Sequence, residues 1–392
     1  MSVEVHSKEY EKKRSRWKHR AAGVDKETEK SVLDVLWNGP YYTGGEQSES
    51  LEKEFAEHFK TKYAISCGSG TAAVHLIYMG YEIGDGDEVI MPANNFMSNI
   101  TALVRERGRP VLVDIEEETY NIDPDKVVEA ITPKTKAIVL DHMCGHPDNM
   151  DIFMELGQEH NIKIIGDAAR ALGARYKGKP IESIADATLA SIGSKCIASA
   201  GQAGMVFTND KDLAHKMYMM RGYGKDAWGY MKDKLGAGQD YKYFGLNYEI
   251  GEINAAVARH ELRKLEGWNE KRRANAKLIN EILEGITAIQ LPVVKSWATS
   301  VYNWYLVKVL EKSDELQQYL KQKGMRVKFS GPGHYPYVHL QKIVQEKFGY
   351  KEGDFPVLES QFGKLADLTN IHWTKTEEEV TQVPKLIKDF YS

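Results

Sequence analysis

A chain of 392 residues, 42% hydrophobic and 28% charged, has the composition of a soluble globular protein long enough for two domains. Its formal net charge of -4 gives no basic footprint for nucleic acid, and no apolar run approaches the roughly 18 to 20 residues that span a bilayer. Cys67, Cys144 and Cys196 are widely spaced with no metal-type pairing, and no signal-like apolar stretch opens the sequence, which together predict a reducing, cytoplasmic setting.

Residues 1–38 read as an N-terminal arm, dense in Lys, Arg and Glu between Glu4 and Lys30, with Tyr10 and Trp17 among them. Two readings stay open for it: an amphipathic arm against a partner subunit, and a solvated extension. After Gly39-Pro40 and the Gly44-Gly45 turn, Leu51, Phe55 and Phe59 recur at helical spacing, and Tyr63-Ala64-Ile65 begins a strand. That strand feeds the turn Gly68-Ser69-Gly70-Thr71, and Ala72 to Leu76 continues it as a helix. Strand, glycine turn and helix make an anion site, because free N–H groups and the positive end of the helix dipole converge where the backbone can be approached closely. An ordinary strand-to-helix turn is the alternative.

From here strands and helices alternate: Val89 to Met91, a helix near Ser98 to Arg107, Val111 to Asp114, a helix near Pro124 to Ala130, Ala137 to Leu140, a helix near Met150 to Glu159, and Ile162 to Ile165. Short β-rich runs separated by helices of about ten residues predict a mostly parallel sheet covered on both faces, with ligands at the carboxyl ends of its strands. Those ends carry Asn94-Asn95-Phe96, then His142 and Cys144, then Asp167.

Asp167 precedes the small Ala168-Ala169, which lets a flat ligand approach. It suits a helix N-cap, and it equally suits a partner that keeps a heteroaromatic nitrogen protonated, where a pyridinium is the better electron sink. Further on, Lys195 lies among small residues between the strand Ala187 to Ile192 and the strand Met205 to Thr208. A lysine on such a tight connection becomes a nucleophile when a partly desolvated pocket or a neighbouring cation lowers its pKa, and is otherwise an inert surface amine. Phosphate turn, flat-ring platform at Phe96, carboxylate at Asp167 and amine at Lys195 make up, in this order, the parts of a pyridoxal phosphate site.

The wording of these motifs resembles the DegT/DnrJ/StrS family of sugar and cyclitol aminotransferases, of the aspartate aminotransferase fold type. The resemblance runs from about Gly39 to the C-terminus and rests on Ser69-Gly-Thr-Ala-Ala73, Gly86-Asp-Glu-Val-Ile-Met-Pro92, Val113-Asp-Ile115 with Tyr120-Asn-Ile-Asp-Pro124, Ile131-Thr-Pro-Lys-Thr-Lys-Ala137, His142 to Gly145 with Met150-Asp151, Asp167-Ala-Ala169, and Asn247-Tyr248 with Glu252 to Ala256. It implies Lys195 as the Schiff-base lysine, Asp167 as the pyridinium partner and Phe96 as the stacking residue. Gly70, Thr71 and Ser191 become phosphate contacts, and Asn247 a phosphate contact supplied by the neighbouring subunit of a homodimer with shared sites. Three residues depart from the family pattern. Ser191 to Lys195 is four residues where many relatives have five, which in a gapless alignment puts Cys196 at the lysine position; cysteine forms no stable Schiff base, so Lys195 keeps the role. Arg170 stands three after Asp167, where relatives carry Gln or His near the cofactor's phenolic oxygen, and a permanent cation there favours the phenolate. Glu249 stands where relatives often have Arg.

Downstream, Lys211 to Arg221 reads as a helix with Leu213, Met217 and Met220 in the core, and Gly222 to Tyr243 as a covering loop, a subunit-crossing loop or a plain connection. A long helical pattern runs from Glu252 towards Leu283; Tyr302 to Val309 reads as a strand, and Ser313 to Lys323 and Thr376 to Tyr391 as amphipathic helices. His334-Tyr335 and His339 resemble a family segment near the substrate. The fold expected is α/β: a large domain, residues 39–262, with a mostly parallel mixed sheet flanked by helices, and a smaller α+β domain, residues 263–392. The expected activity is transfer of an amino group from Glu or Gln to a keto sugar, nucleotide-linked, or a keto cyclitol. A dehydratase of the same family is the nearest alternative and would replace the lysine with histidine; none lies between Ser191 and Gly204. A non-catalytic cofactor-binding regulator is the other. A nicotinamide enzyme is disfavoured, since no G-x-G-x-x-G follows the first strand.

Overall fold

The computed structural model describes residues 25–40, 42–193, 201–225, 241–334, 336–368 and 374–392. Its first nine strands are β1 (Tyr63–Cys67), β2 (Glu88–Pro92), β3 (Arg109–Val113), β4 (Thr135–Leu140), β5 (Lys163–Asp167), β6 (Arg175–Tyr176), β7 (Lys179–Pro180), β8 (Ala187–Ile192) and β9 (Ala203–Thr208). Among the described residues seven of these form the main sheet, in the order β1-β9-β8-β5-β4-β2-β3. Every pairing from β8 through β3 is parallel, whereas β9 runs antiparallel to both β1 and β8. The expected mostly parallel, mixed sheet is therefore present.

The sequence accounts for this arrangement. Ala137, Ile138, Val139 and Leu140 are all fully buried, as a parallel strand covered on both faces requires. One face packs on the helix Gly70–Gly80 through Leu76 and Ile77, and the other on the helix Glu46–Phe59 through Leu51, Phe55 and Phe59. The carboxyl ends of β2, β4, β5 and β8 open on one edge, and there the site is built.

The long helix expected from Glu252 to Leu283 is two helices, Glu252–Leu262 and Leu265–Leu283. The break comes where the apolar face changes partner: Leu262 and Leu265 belong to the main-sheet core, while Ala276, Ile279 and Leu283 belong to a second core with Leu316, Leu320 and Ile387. Over that second core lies an antiparallel sheet. Beyond β10 (Ile289–Gln290) and β11 (Ala298–Thr299), which pairs with β6, come β12 (Leu306–Val309), β13 (Lys328–Ser330) and β14 (Leu365–Asp367), in the order β10-β12-β14-β13. The strand expected from Tyr302 starts only at Leu306, because the Val301 N–H and the Ser300 hydroxyl both donate to the Gly145 carbonyl and dock this segment on the main unit. Residues beyond β13 return to the large core, where Tyr337, Val338, Val344 and Leu358 pack. No described helix is long and apolar enough to cross a membrane.

Candidate active site

The floor begins where β1 ends. Ser69 caps the helix Gly70–Gly80, its Oγ accepting from the Ala72 N–H at 3.1 Å, so the N–H groups of Gly70 and Thr71 stand ahead of the first intrahelical acceptor. A Cβ on Gly70 would lie 2.8 Å from Ser191 Cβ. Only glycine lets the helix terminus and the Ser191 hydroxyl of β8 come this close, which concentrates three potential donors at the positive end of a helix.

Asp167 ends β5, and both of its oxygens are taken. Oδ1 accepts from the Ala169 N–H at 2.9 Å, so the capping role is real; Oδ2 accepts from Asn99 Nδ2 at 3.0 Å. The residue is 3% exposed, yet among the described residues it forms no ion pair. The Tyr78 phenol is held far above its ordinary pKa by its own burial first and by the neighbouring Asp167 second.

A roof descends from the second sheet and its loops. The Trp304 ring lies over the Arg170 guanidinium at 4.7 Å, and His334 meets the edges of both Trp304 (5.6 Å between ring centres) and Phe96 (4.9 Å). A Cβ on Gly333 would come within 2.7 Å of the Asn94 carbonyl, and its φ is +115°, so glycine is what lets the His334 loop dock on the end of β2. Arg170 is buried in an ion pair with Asp141, Nη1 to Oδ2 at 2.7 Å, while its Nε and Nη2 have no hydrogen-bond partner among the described residues.

Between floor and roof lies a cavity of about 330 Å³, bordered by Gly70, Thr71, Phe96, Asp167, Arg170 and Ser191, together with Ser69, Asp141, Ala169, Gln202 and His334. Six residues expected at the site thus meet in one place. Lys195 and Cys196 lie outside the described residues; Ser191 on the near side of them and Gln202 on the far side both border the cavity. Asn247 does not border the cavity of its own chain. It is exposed and donates to the Tyr223 hydroxyl at 2.8 Å, while the carbonyl of its neighbour Tyr248 accepts from the Gly68 N–H at the phosphate turn.

Other groups expected at strand ends turn away. His142 adopts a left-handed conformation, is fully buried, and binds the Asp148 backbone and carboxylate; burial pushes the Cys144 thiol up to about 12. His339 is buried against Glu359, so of the two histidines in that segment only His334 reaches the cavity. Asp141, Asn99 and Trp304 escaped sequence reasoning. Asp141 sits one residue before the flagged His142, and Asn99 lies one helical turn from Asn95, the i, i+4 spacing that places two side chains on one face.

The residues present fit pyridoxal phosphate. A helix N-terminus with an adjacent hydroxyl suits its phosphate. A buried carboxylate that forms no ion pair among the described residues suits a protonated ring nitrogen, and the partly exposed Phe96 ring borders the same cavity.

A family model described as DegT/DnrJ/EryC1/StrS aminotransferase family matches residues 23–388. The chain is 34% identical to dTDP-3-amino-3,4,6-trideoxy-alpha-D-glucose transaminase of Streptomyces venezuelae, over 85% of this chain and 84% of that protein. It is 32% identical to dTDP-3-amino-3,6-dideoxy-alpha-D-galactopyranose transaminase of Aneurinibacillus thermoaerophilus, over 93% and 95%. Among solved structures, S. venezuelae DesV in complex with a ketimine intermediate superimposes with a TM-score of 0.85 at 31% identity, covering 97% of each chain.

Proposed function

The chain belongs to the DegT/DnrJ/EryC1/StrS aminotransferase family of pyridoxal phosphate enzymes, and from that premise we propose that it aminates a keto sugar carried on a nucleotide, with glutamate or glutamine as donor. A keto cyclitol is the second acceptor considered. The observation that carries the proposal is the single cavity in which Gly70, Thr71 and Ser191 oppose Asp167 and Phe96.

When bound, the cofactor supplies an electron sink for charge developing at the donor's α-carbon. The chain's own groups do the rest. The N–H groups of Gly70 and Thr71 and the Ser191 hydroxyl hold the phosphate, and Phe96 borders the ring face. The Asp167 carboxylate keeps a proton on the ring nitrogen, and Arg170, tied to Asp141, favours an ionised ring oxygen. Lys195 would hold the cofactor between turnovers; its freed amine would take the proton from the donor's α-carbon and pass it on within that half-reaction, and in the reverse half-reaction would deliver a proton to the acceptor carbon that is aminated.

A homodimer with shared sites completes the proposal. Phe244 is fully exposed, and Tyr42, Tyr223 and Leu246 are exposed on the connected segments that carry Asn247, apolar side chains suited to a second copy. In that arrangement Asn247 donates to the phosphate held by the other chain. Mixing a Lys195→Ala chain with an Asn247→Asp chain tests it: restored activity is expected, and activity no greater than the sum of the separate variants, despite proven subunit exchange, overturns it. The acceptor is tested by converting the enzyme to its amino form with glutamate or glutamine and adding nucleotide-linked ketosugars and ketocyclitols singly. A nucleotide-linked ketosugar is expected to restore the long-wavelength absorbance; restoration by cyclitols alone would move the assignment to that class.

A further inference from the structure

We propose that Asn99 is the positioning residue for Asp167, fixing both its orientation and its ionised state and coupling it to the Phe96 platform. The proposal rests on the reading of Asp167 as partner of the cofactor's ring nitrogen. Asn99 lies in the first turn of the helix Met97–Arg105 and is fully buried. Its Nδ2 donates to Asp167 Oδ2 at 3.0 Å and to Asn95 Oδ1 at 2.7 Å, and Asn95 Oδ1 also accepts from the Phe96 N–H. Because both neighbours of Nδ2 are acceptors, the orientation of the Asn99 amide is settled chemically, with nitrogen towards Asp167.

One amide therefore bridges the residue at the cavity's Phe96 border and the carboxylate opposite. The other oxygen of Asp167 is held by the Ala169 backbone, which no substitution at position 169 except proline removes. Asn99 is the second tether, and without it only the Ala169 N–H restrains the carboxylate's rotation about its terminal bond. A neutral donor is also the right chemistry. A hydrogen bond given to a carboxylate favours its charged form, whereas Lys or Arg at this position would supply a cation and compete with the ring nitrogen for the same charge.

The far side of the amide supports a donor role over shape-filling. Asn99 Oδ1 is buried with no hydrogen-bond partner among the described residues. Burying an unsatisfied carbonyl costs stability that a leucine of similar size would not. The donor end is what Asn99 contributes in return.

The test uses the holoenzyme loaded with pyridoxal phosphate labelled with ¹⁵N at the ring nitrogen, whose protonation is followed by NMR from pH 6 to 9 in native, Asn99→Leu and Asp167→Asn proteins. Loss of a charge-assisted hydrogen bond is expected to lower the ring nitrogen's apparent pKa by about 1 to 2 units in Asn99→Leu, with kcat down by on the order of 10- to 100-fold. The KM for the donor is expected to stay within about threefold, since Asn99 does not border the cavity. A purely structural role would lower kcat through lost folded protein and leave the nitrogen profile of the remaining holoenzyme unchanged. If Asn99→Leu keeps the native profile while Asp167→Asn loses it, the proposal is overturned and the reading of Asp167 stands; a native profile in Asp167→Asn would sink that reading itself. Asn99→Ala, which removes the donor without adding bulk, is measured in parallel, and a native profile in whichever variant folds overturns the proposal equally.

Discussion

The floor and the roof of the cavity are built by different physics. On the floor each polar group is held by main chain or buried amides: Asp167 by Ala169 and Asn99, Ser69 by the helix it caps, Gly70 by its close approach to Ser191. The roof rests on ring edges and one stacked cation, Phe96 against His334, His334 against Trp304, and Trp304 over Arg170, with His334 and Trp304 carried on segments that reach in from the second sheet. Directional bonds to a rigid sheet fix a site for one invariant group. Ring contacts slide at little cost, so a surface made of them accommodates a variable one. On the proposed reading the floor holds the cofactor together with Phe96 and Arg170, on which the roof rests, and His334 faces the ketone.

The sharpest way to break that contrast is at Asp167. Asp167→Asn is expected to retain cofactor, because the phosphate contacts lie elsewhere, and to lose roughly 10²- to 10³-fold in transamination with every ketone and donor. Turnover equal to the parent, measured with saturating cofactor, would reduce Asp167 to the helix cap that it also is.

A smaller and more selective effect is expected from the roof. His334→Ala should change the KM for acceptor ketones by about tenfold or less, unequally between ketones, with cofactor affinity unchanged. Equal losses across all ketones, together with weaker cofactor binding by spectroscopic titration, would place His334 functionally with the floor.

A third effect, on stability rather than turnover, is expected beneath the floor. Glu182 is buried under the turn that follows Asp167, accepting from the Gly173 N–H at 2.8 Å, and burial pushes its carboxyl up to about 7 from an ordinary 4.5. Between those values the folded chain binds this proton more tightly than the unfolded chain, so this contribution is complete below pH 4.5 and declines as pH rises through 7, on the order of 3 kcal/mol in all. Denaturant unfolding at several pH values should show that decline in the native protein and its absence in Glu182→Gln. Parallel curves for the two proteins would contradict it.

The same contrast explains what could be read from the sequence. Gly70 and Asp167 could be placed by local chemistry, a glycine turn before a helix and an acid at the end of an apolar strand, whereas Ser191 entered only through the family resemblance. The parallel strands were legible for the same reason, as uninterrupted buried runs. Trp304 and Asp141 were not, since their roles depend on which distant segments meet: Trp304 reaches Arg170 only because residues 300 and 301 dock on Gly145. The helix break after Leu262 was hidden in the same way, for the amphipathic pattern continues while the core it faces changes. Asn99 lay between these cases, visible as an i, i+4 partner of Asn95 but silent about Asp167.

Everything proposed for the floor requires that the cofactor bond to Lys195, on the segment between Ser191 and Gly204. Incubation with pyridoxal phosphate, reduction with borohydride and peptide mapping measures this directly. The account predicts a single pyridoxyl label on Lys195, lost in Lys195→Ala while the fold is retained. A label on Lys177 or Lys179, or no label on a chain that still binds the cofactor, would contradict it.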